Sequence, residues 1–125
     1  MPTPEIEEFA RALVKQVRDA TIRSCDALLQ PQAGSPVAHR WKALATDSSD
    51  LRTVIADAVD ETVCGVLQAI DHGLLRLKYV SSGGREVDLT EEGQGELTGW
   101  YIGSGGWRAL YSAERFVDDF ADLGG

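Results

Sequence analysis

The sequence predicts an α+β fold: two long packed amphipathic helices, a short helix, one β-hairpin and a C-terminal aromatic-rich helical cap. Three observations carry that expectation. Apolar residues recur at helical spacing over 3–29 and again over 51–72, and the period changes to two over 75–89. Six of the nine aromatics then crowd into Trp100 to Phe120, interleaved with glycine. At 125 residues the chain fits a single globular domain, 1–125, which buries about two-thirds of its unfolded surface.

The first helix is expected from Thr3 to Leu29. Ile6, Phe9, Ala10, Leu13, Val17, Ala20, Thr21, Ser24 and Leu28 form its inward stripe, with Glu8, Lys15, Arg18 and Asp19 opposite. Thr3 is a capping residue and Pro4 suits the first turn, while Gln30 to Gly34 ends the element. Ser35-Pro36 then reads as a cap with proline at the first helical position, starting a short helix, Val37 to Leu44, that sets Trp41 against the core. The break Thr46 to Asp50 supplies a cap for the longest element, Leu51 to about His72. Its stripe is Leu51, Val54, Ile55, Ala58, Val59, Thr62, Val63, Val66 and Ile70, and Gly73 follows as a left-handed C-cap. Asp57, Asp60, Glu61, Cys64, Gln68 and Asp71 cluster on the reverse face.

Leu75, Leu77 and Tyr79 alternate with Arg76, Lys78 and Val80, and Arg85 to Leu89 alternates again beyond Ser81-Ser82-Gly83-Gly84. A hairpin follows, with Arg76 and Lys78 facing Glu86 and Asp88 across the strands. Asp88 to Glu92 looks like a strand running into a capped helix with an acidic first turn. Leu97, Trp100 and Tyr101 predict a short helix that depends on packing, because Gly93, Gly95 and Gly99 each cost about 1 kcal/mol against alanine. Trp107 to Tyr111 is expected to be extended or irregular. Ser112 is expected to cap a last helix carrying Phe116, Val117 and Phe120.

Charge is divided unevenly. Residues 1–45 carry a net +1 and residues 46–125 a net −9, giving the overall −8. Such a surface repels phosphate backbones and anionic lipid, which argues against nucleic acid and membranes as partners. No window approaches the apolar run of about 20 residues that a membrane span needs, and the N-terminus lacks a secretory signal pattern. A cytoplasmic protein with both cysteines, Cys25 and Cys64, kept as thiols is the expectation.

Catalytic chemistry finds little to work with. The two histidines, His39 and His72, have no second histidine at i+3 or i+4, and neither a Gly-x-Ser-x-Gly elbow nor a His-Glu-x-x-His pair occurs. Cys64 lies among carboxylates that raise a thiol pKa, and Cys25 reads as core filler. Gly93 to Gly99 is one residue longer than a dinucleotide fingerprint and is flanked by Glu91, Glu92 and Glu96, which repel a pyrophosphate. No catalytic residue, metal ligand or cofactor site is assigned.

Two features remain as recognition candidates. Trp100, Tyr101, Trp107, Arg108 and Tyr111 combine the residue types that dominate interface hot spots, with core packing as the competing role. Asp57, Asp60, Glu61 and Asp71 form an acidic helix face suited to steering a basic partner, or simply to solvation.

The run Asp88-Leu89-Thr90-Glu91-Glu92-Gly93 through Gly99-Trp100-Tyr101, with Gly106-Trp107-Arg108 and Tyr111 to Phe116, resembles a small bacterial family of uncharacterised proteins, a domain of unknown function. The likeness covers roughly residues 50–122 and implies a bacterial cytosolic origin. In size and acidity the chain is also similar to bacterial immunity proteins that block a toxin. The expected function is therefore a non-enzymatic protein-binding module, such as an acidic inhibitor or immunity-type partner of a basic protein. The alternative is a small-molecule-binding protein or minor enzyme, with Trp100, Tyr101 and Trp107 lining a pocket under the C-terminal cap and Arg108 or Arg115 anchoring an anion. A homodimer built on the aromatic segment is the third option.

Overall fold

A computed structural model describes residues 2–44 and 47–119. It is mainly helical, with one antiparallel hairpin, and belongs to the α+β class. The first helical stretch is continuous but not uniform. Helix α1 (Pro4–Ala12) passes into a π-helical segment, Leu13–Asp19, and resumes as α2 (Ala20–Leu28). Thr3 caps its start by accepting a hydrogen bond from the Ile6 N–H at 3.2 Å. Helix α3 (Pro36–Leu44) starts at Ser35, whose hydroxyl accepts from the Ala38 N–H at 3.1 Å, and α4 (Ser48–Asp71) starts at Asp47, which accepts from Ser49. Gly73, with φ at 72°, ends α4 in the left-handed conformation that glycine tolerates best.

Strands β1 (Lys78–Val80) and β2 (Glu86–Asp88) pair with Lys78 opposite Asp88 and Val80 opposite Glu86. The expected cross-strand ion pairs form on the diagonals, Lys78 to Glu86 at 3.1 Å and Arg76 to Asp88 at 3.6 Å. Leu75 and Leu77 were expected to line the strand's apolar side, but they precede the three-residue ladder and are exposed. Asp88 ends β2 and caps α5 (Leu89–Gly93) through the Thr90 and Glu91 N–H groups. Helices α6 (Leu97–Ile102) and α7 (Trp107–Tyr111) complete the described elements.

The core lies where α1 and the middle of α4 meet the hairpin, α5, α6 and α7. Ile6, Ala10 and Val14 pack there with Val63, Leu67, Ile70, Leu97, Tyr101 and Trp107.

Four expectations need correction. Trp107 to Tyr111 is helical, not extended: the helical turn sends the adjacent Trp107 and Arg108 to different interior partners, Trp107 onto Phe9 and Trp100 and Arg108 onto Asp60. No helix follows Ser112 through residue 119: its hydroxyl accepts from the Glu114 N–H as a cap would, but Asp19 takes the Ala113 N–H and the arginines Arg18 and Arg108 take the Arg115 and Val117 carbonyls; Phe120 lies outside the described residues. Arg18 and Asp19 were assigned to the solvent face, yet both are buried. The wider π-helical turn shifts the inward row from Ile6, Ala10 and Val14 onto Arg18, Asp19 and Ile22. The same shift carries Val17 out to 50% exposure. Finally, the buried side of α4 is rotated from the expected stripe: Ala56, Asp60, Val63, Leu67 and Ile70 face inward, while Val54, Ala58 and Thr62 do not. An apolar stripe set by hydropathy alone misplaces a helix whose core side holds a paired carboxylate.

Candidate functional site

Tyr101 and Trp107 are interior, and Trp100 and Tyr111 are partly buried beside them. Trp107 is 2% exposed and Tyr101 fully buried, with the Trp107 ring 6.4 Å from Phe9 and 5.8 Å from Trp100. The glycines permit this closeness. A Cβ on Gly106 would sit 2.3 Å from the Trp100 carbonyl oxygen, so only glycine lets the loop fold back onto α6. Tyr111 is half-buried, its hydroxyl donating to Glu7 while Arg11 lies over its ring.

Arg108 is also withdrawn from the surface, into a buried ionic network centred on Asp60. Arg18 donates to Asp60 Oδ1 through Nε at 2.7 Å and to Oδ2 through Nη2 at 3.3 Å. Tyr101 Oη adds a hydrogen bond to Oδ1 at 2.7 Å, and Arg108 Nη1 donates to Oδ2 at 3.0 Å. Arg18 Nη1 reaches Asp19 Oδ1 and Ser112 Oγ, both at 2.8 Å, and Nη2 reaches the Arg115 carbonyl at 2.7 Å. Two arginines thus balance two carboxylates, and among the described residues no buried side-chain polar atom lacks a partner. Burial pushes the Asp60 carboxyl upward, but the hydrogen bonds from Arg18 and Tyr101 and the two guanidinium charges outweigh it and hold the carboxyl below its ordinary 3.8. Tyr101 is displaced far upward by burial and by Asp60, so its hydroxyl keeps its proton. Satisfied on every side, the network is a fastener: it ties the π-helical segment, α4, α6, α7 and segment 112–119 together.

The acidic face divides. Asp60 belongs to that network. Asp71 accepts the Leu97 and Thr98 N–H groups, both at 3.0 Å, and so caps α6 from a neighbouring helix. Replacing Asp71 by alanine is expected to cost about 1–2 kcal/mol, as loss of an N-cap does; thermal denaturation reads it, and an unchanged melting temperature would contradict the capping role. Asp57 and Glu61 remain exposed on α4, in one row with Asp50. Among the described residues none of these three is ion-paired. Arg115, an expected anion anchor, is instead clamped on Asp26 at 2.8 Å through both terminal nitrogens.

Beside that row lies a groove that no sequence argument located. It has a volume of 510 Å³ and runs between the helical stretch formed by the π-helical segment and α2 on one side and α4 on the other. Val17, Thr21 and Cys25 line one wall, Val54, Ala58 and Thr62 the other, with Ile55 and Val63 deeper and Trp41 and Leu44 supplied by α3. Val54 is 58% exposed, although the sequence pattern assigned it to the core. The sequence signal was present: the α4 stripe is wider than one partner helix covers. The Thr62 hydroxyl donates back to the Ala58 carbonyl at 2.8 Å, so this polar group in the wall is already satisfied. A smaller hollow of 270 Å³ adjoins Trp100, the Gly103–Gly106 loop and Trp107; of the residues expected to form a ligand pocket, Tyr101, Arg108 and Arg115 do not line it.

Chemistry is sparse at the groove. Cys25 is its single thiol, and burial raises its pKa, away from the thiolate. Cys64 is half-buried and is pushed up to about 11 by burial, with Asp60 and Glu61 adding to the effect. His39 and His72 are exposed and line neither hollow. Among the described residues no group of three or more His, Cys, Asp or Glu side chains converges to hold a metal ion, and no helix is long and apolar enough to cross a membrane. The chain matches no family model, no curated protein sequence and no solved structure.

Proposed function

We propose that the protein is a non-enzymatic binding module for a basic protein, with the groove between α2 and α4 as its contact surface. An inhibitor or immunity-type role is the form of this reading that fits a small acidic chain. One observation carries it. An apolar groove of 510 Å³ is open and bordered by Asp50, Asp57 and Glu61, none of them ion-paired among the described residues, while Tyr101, Trp107 and Arg108 are committed to the interior. Apolar contact supplies affinity in such a surface, and the carboxylates supply steering and selectivity.

Affinity capture from a lysate of the source organism, at low and high salt, tests this. A basic protein retained by wild type at low salt and lost with Val54→Glu supports the reading. Equal capture by both proteins, or no basic protein at low salt, contradicts it.

An apolar small molecule in the same groove is the second reading, favoured by the volume, which lies within the roughly 300–1,000 Å³ of ligand pockets. Trp41 lines the groove, so saturable quenching of tryptophan fluorescence by a discrete ligand is its signature.

A further inference from the structure

Resting on that reading, we propose that the occupant of the groove is a single amphipathic α-helix of about three turns, with lysines or arginines along the flank that meets α4.

The secondary structure of the occupant follows from the walls. Both are helices whose backbone groups are bonded internally, so the groove offers no edge to an extended strand. The Thr62 hydroxyl is likewise spent on Ala58. A peptide entering this apolar surface must satisfy its own N–H and C=O groups, and a helix does so. Its length follows from the lining. Leu51 to Val63 on α4 spans twelve residue steps, about 18 Å at 1.5 Å per residue. Opposite, Val17, Thr21 and Cys25 stand one turn apart, the spacing that receives apolar anchors at i, i+3, i+4 and i+7.

The charge pattern selects among occupants. Asp50, Asp57 and Glu61 run along one edge of α4 at seven- and four-residue intervals, beside Val54 and Ala58. Asp57 stands three residues from Val54 and Glu61 three residues from Ala58, so both carboxylates border the lining on one side. A second copy of the chain brings the same carboxylates to the same rim, and a fatty-acid carboxylate meets the same repulsion. A helix with cationic side chains on that flank meets complementary charge along the whole row.

The test uses a fluorescently labelled synthetic peptide of about fifteen residues. It carries leucines on one face and lysines on one flank; a twin carries glutamates in place of the lysines. Anisotropy titrations are run with the full chain, with Val54→Glu, and with the charge-reversed pair Asp57→Lys and Glu61→Lys. All of these positions are exposed, so the variants are expected to melt with wild type. The lysine peptide should bind wild type at least tenfold more tightly than its twin and weaken with salt. Val54→Glu should lower its affinity at least tenfold, and the charge reversal should invert the preference between the peptides. Equal binding of both peptides, or binding that survives Val54→Glu, overturns the proposal. So does a dimer in light scattering that Val54→Glu dissociates, because a second copy then owns the groove. If wild type captures a basic protein through the groove but binds neither peptide, the helical occupant is wrong and the binding-module reading stands.

Discussion

Replacing Arg18 by methionine is expected to destabilise the protein by about 3–5 kcal/mol, the cost of breaking a buried ion pair from one side. Methionine occupies similar space, so the loss reports the interaction and not a cavity. Arg18 makes five side-chain hydrogen bonds, to Asp60, Asp19, Ser112 and the Arg115 carbonyl, and is fully buried. Without it Asp60 retains Arg108 and Tyr101, whereas Asp19 keeps only Ser112 and the Ala113 N–H. One buried negative charge is then uncompensated. Against a total stability of about 5–15 kcal/mol, a loss of this size leaves the fold marginal. Urea denaturation measures it, and a midpoint close to wild type would contradict the fastening role. Acid unfolding supplies the sign. Asp60 is held below its ordinary 3.8, so its contribution is complete above that pH and disappears as pH falls through the lowered value. Arg18→Met raises the Asp60 pKa toward the ordinary one, and its acid transition is expected at higher pH than wild type.

Trp107→Ala is expected to cost about 3–5 kcal/mol, as large-to-small changes of buried tryptophan do. The indole contacts Phe9 from α1 and Trp100 from α6, so its removal opens a cavity where three elements meet. A tryptophan on the surface would change stability by no more than about 0.5 kcal/mol. Urea denaturation therefore separates the two roles the sequence offered for this residue. Stability within that small margin would return the aromatic segment to the surface and remove the main argument for the groove.

The contrast between what was legible and what was not has a common cause. Local signals read well: Thr3, Ser35, Asp47, Asp88 and Gly73 mark element ends through chemistry confined to one turn, and the hairpin ion pairs follow from alternation and turn length. The buried ionic network did not, because periodicity counts charges as solvent-facing. Arg18 and Asp60 lie 42 residues apart and become interior only as partners. The π-helical segment compounds this, since a 3.6-residue wheel loses register across it. The groove escaped for the converse reason. Val17, Val54, Ala58 and Thr62 have the spacing of core residues, and spacing alone does not reveal that the third helix needed to cover them is absent among the described residues.

The fold is closed at Trp107 and open at Val54. This is tested most directly by preparing Val54→Glu and measuring its thermal transition beside its capture of protein partners. Val54→Glu is expected to unfold within about 0.5 kcal/mol of wild type, as for a surface change, and to lose the basic partner. A transition far below wild type would place Val54 in a closed core, and unchanged capture would place recognition away from the groove.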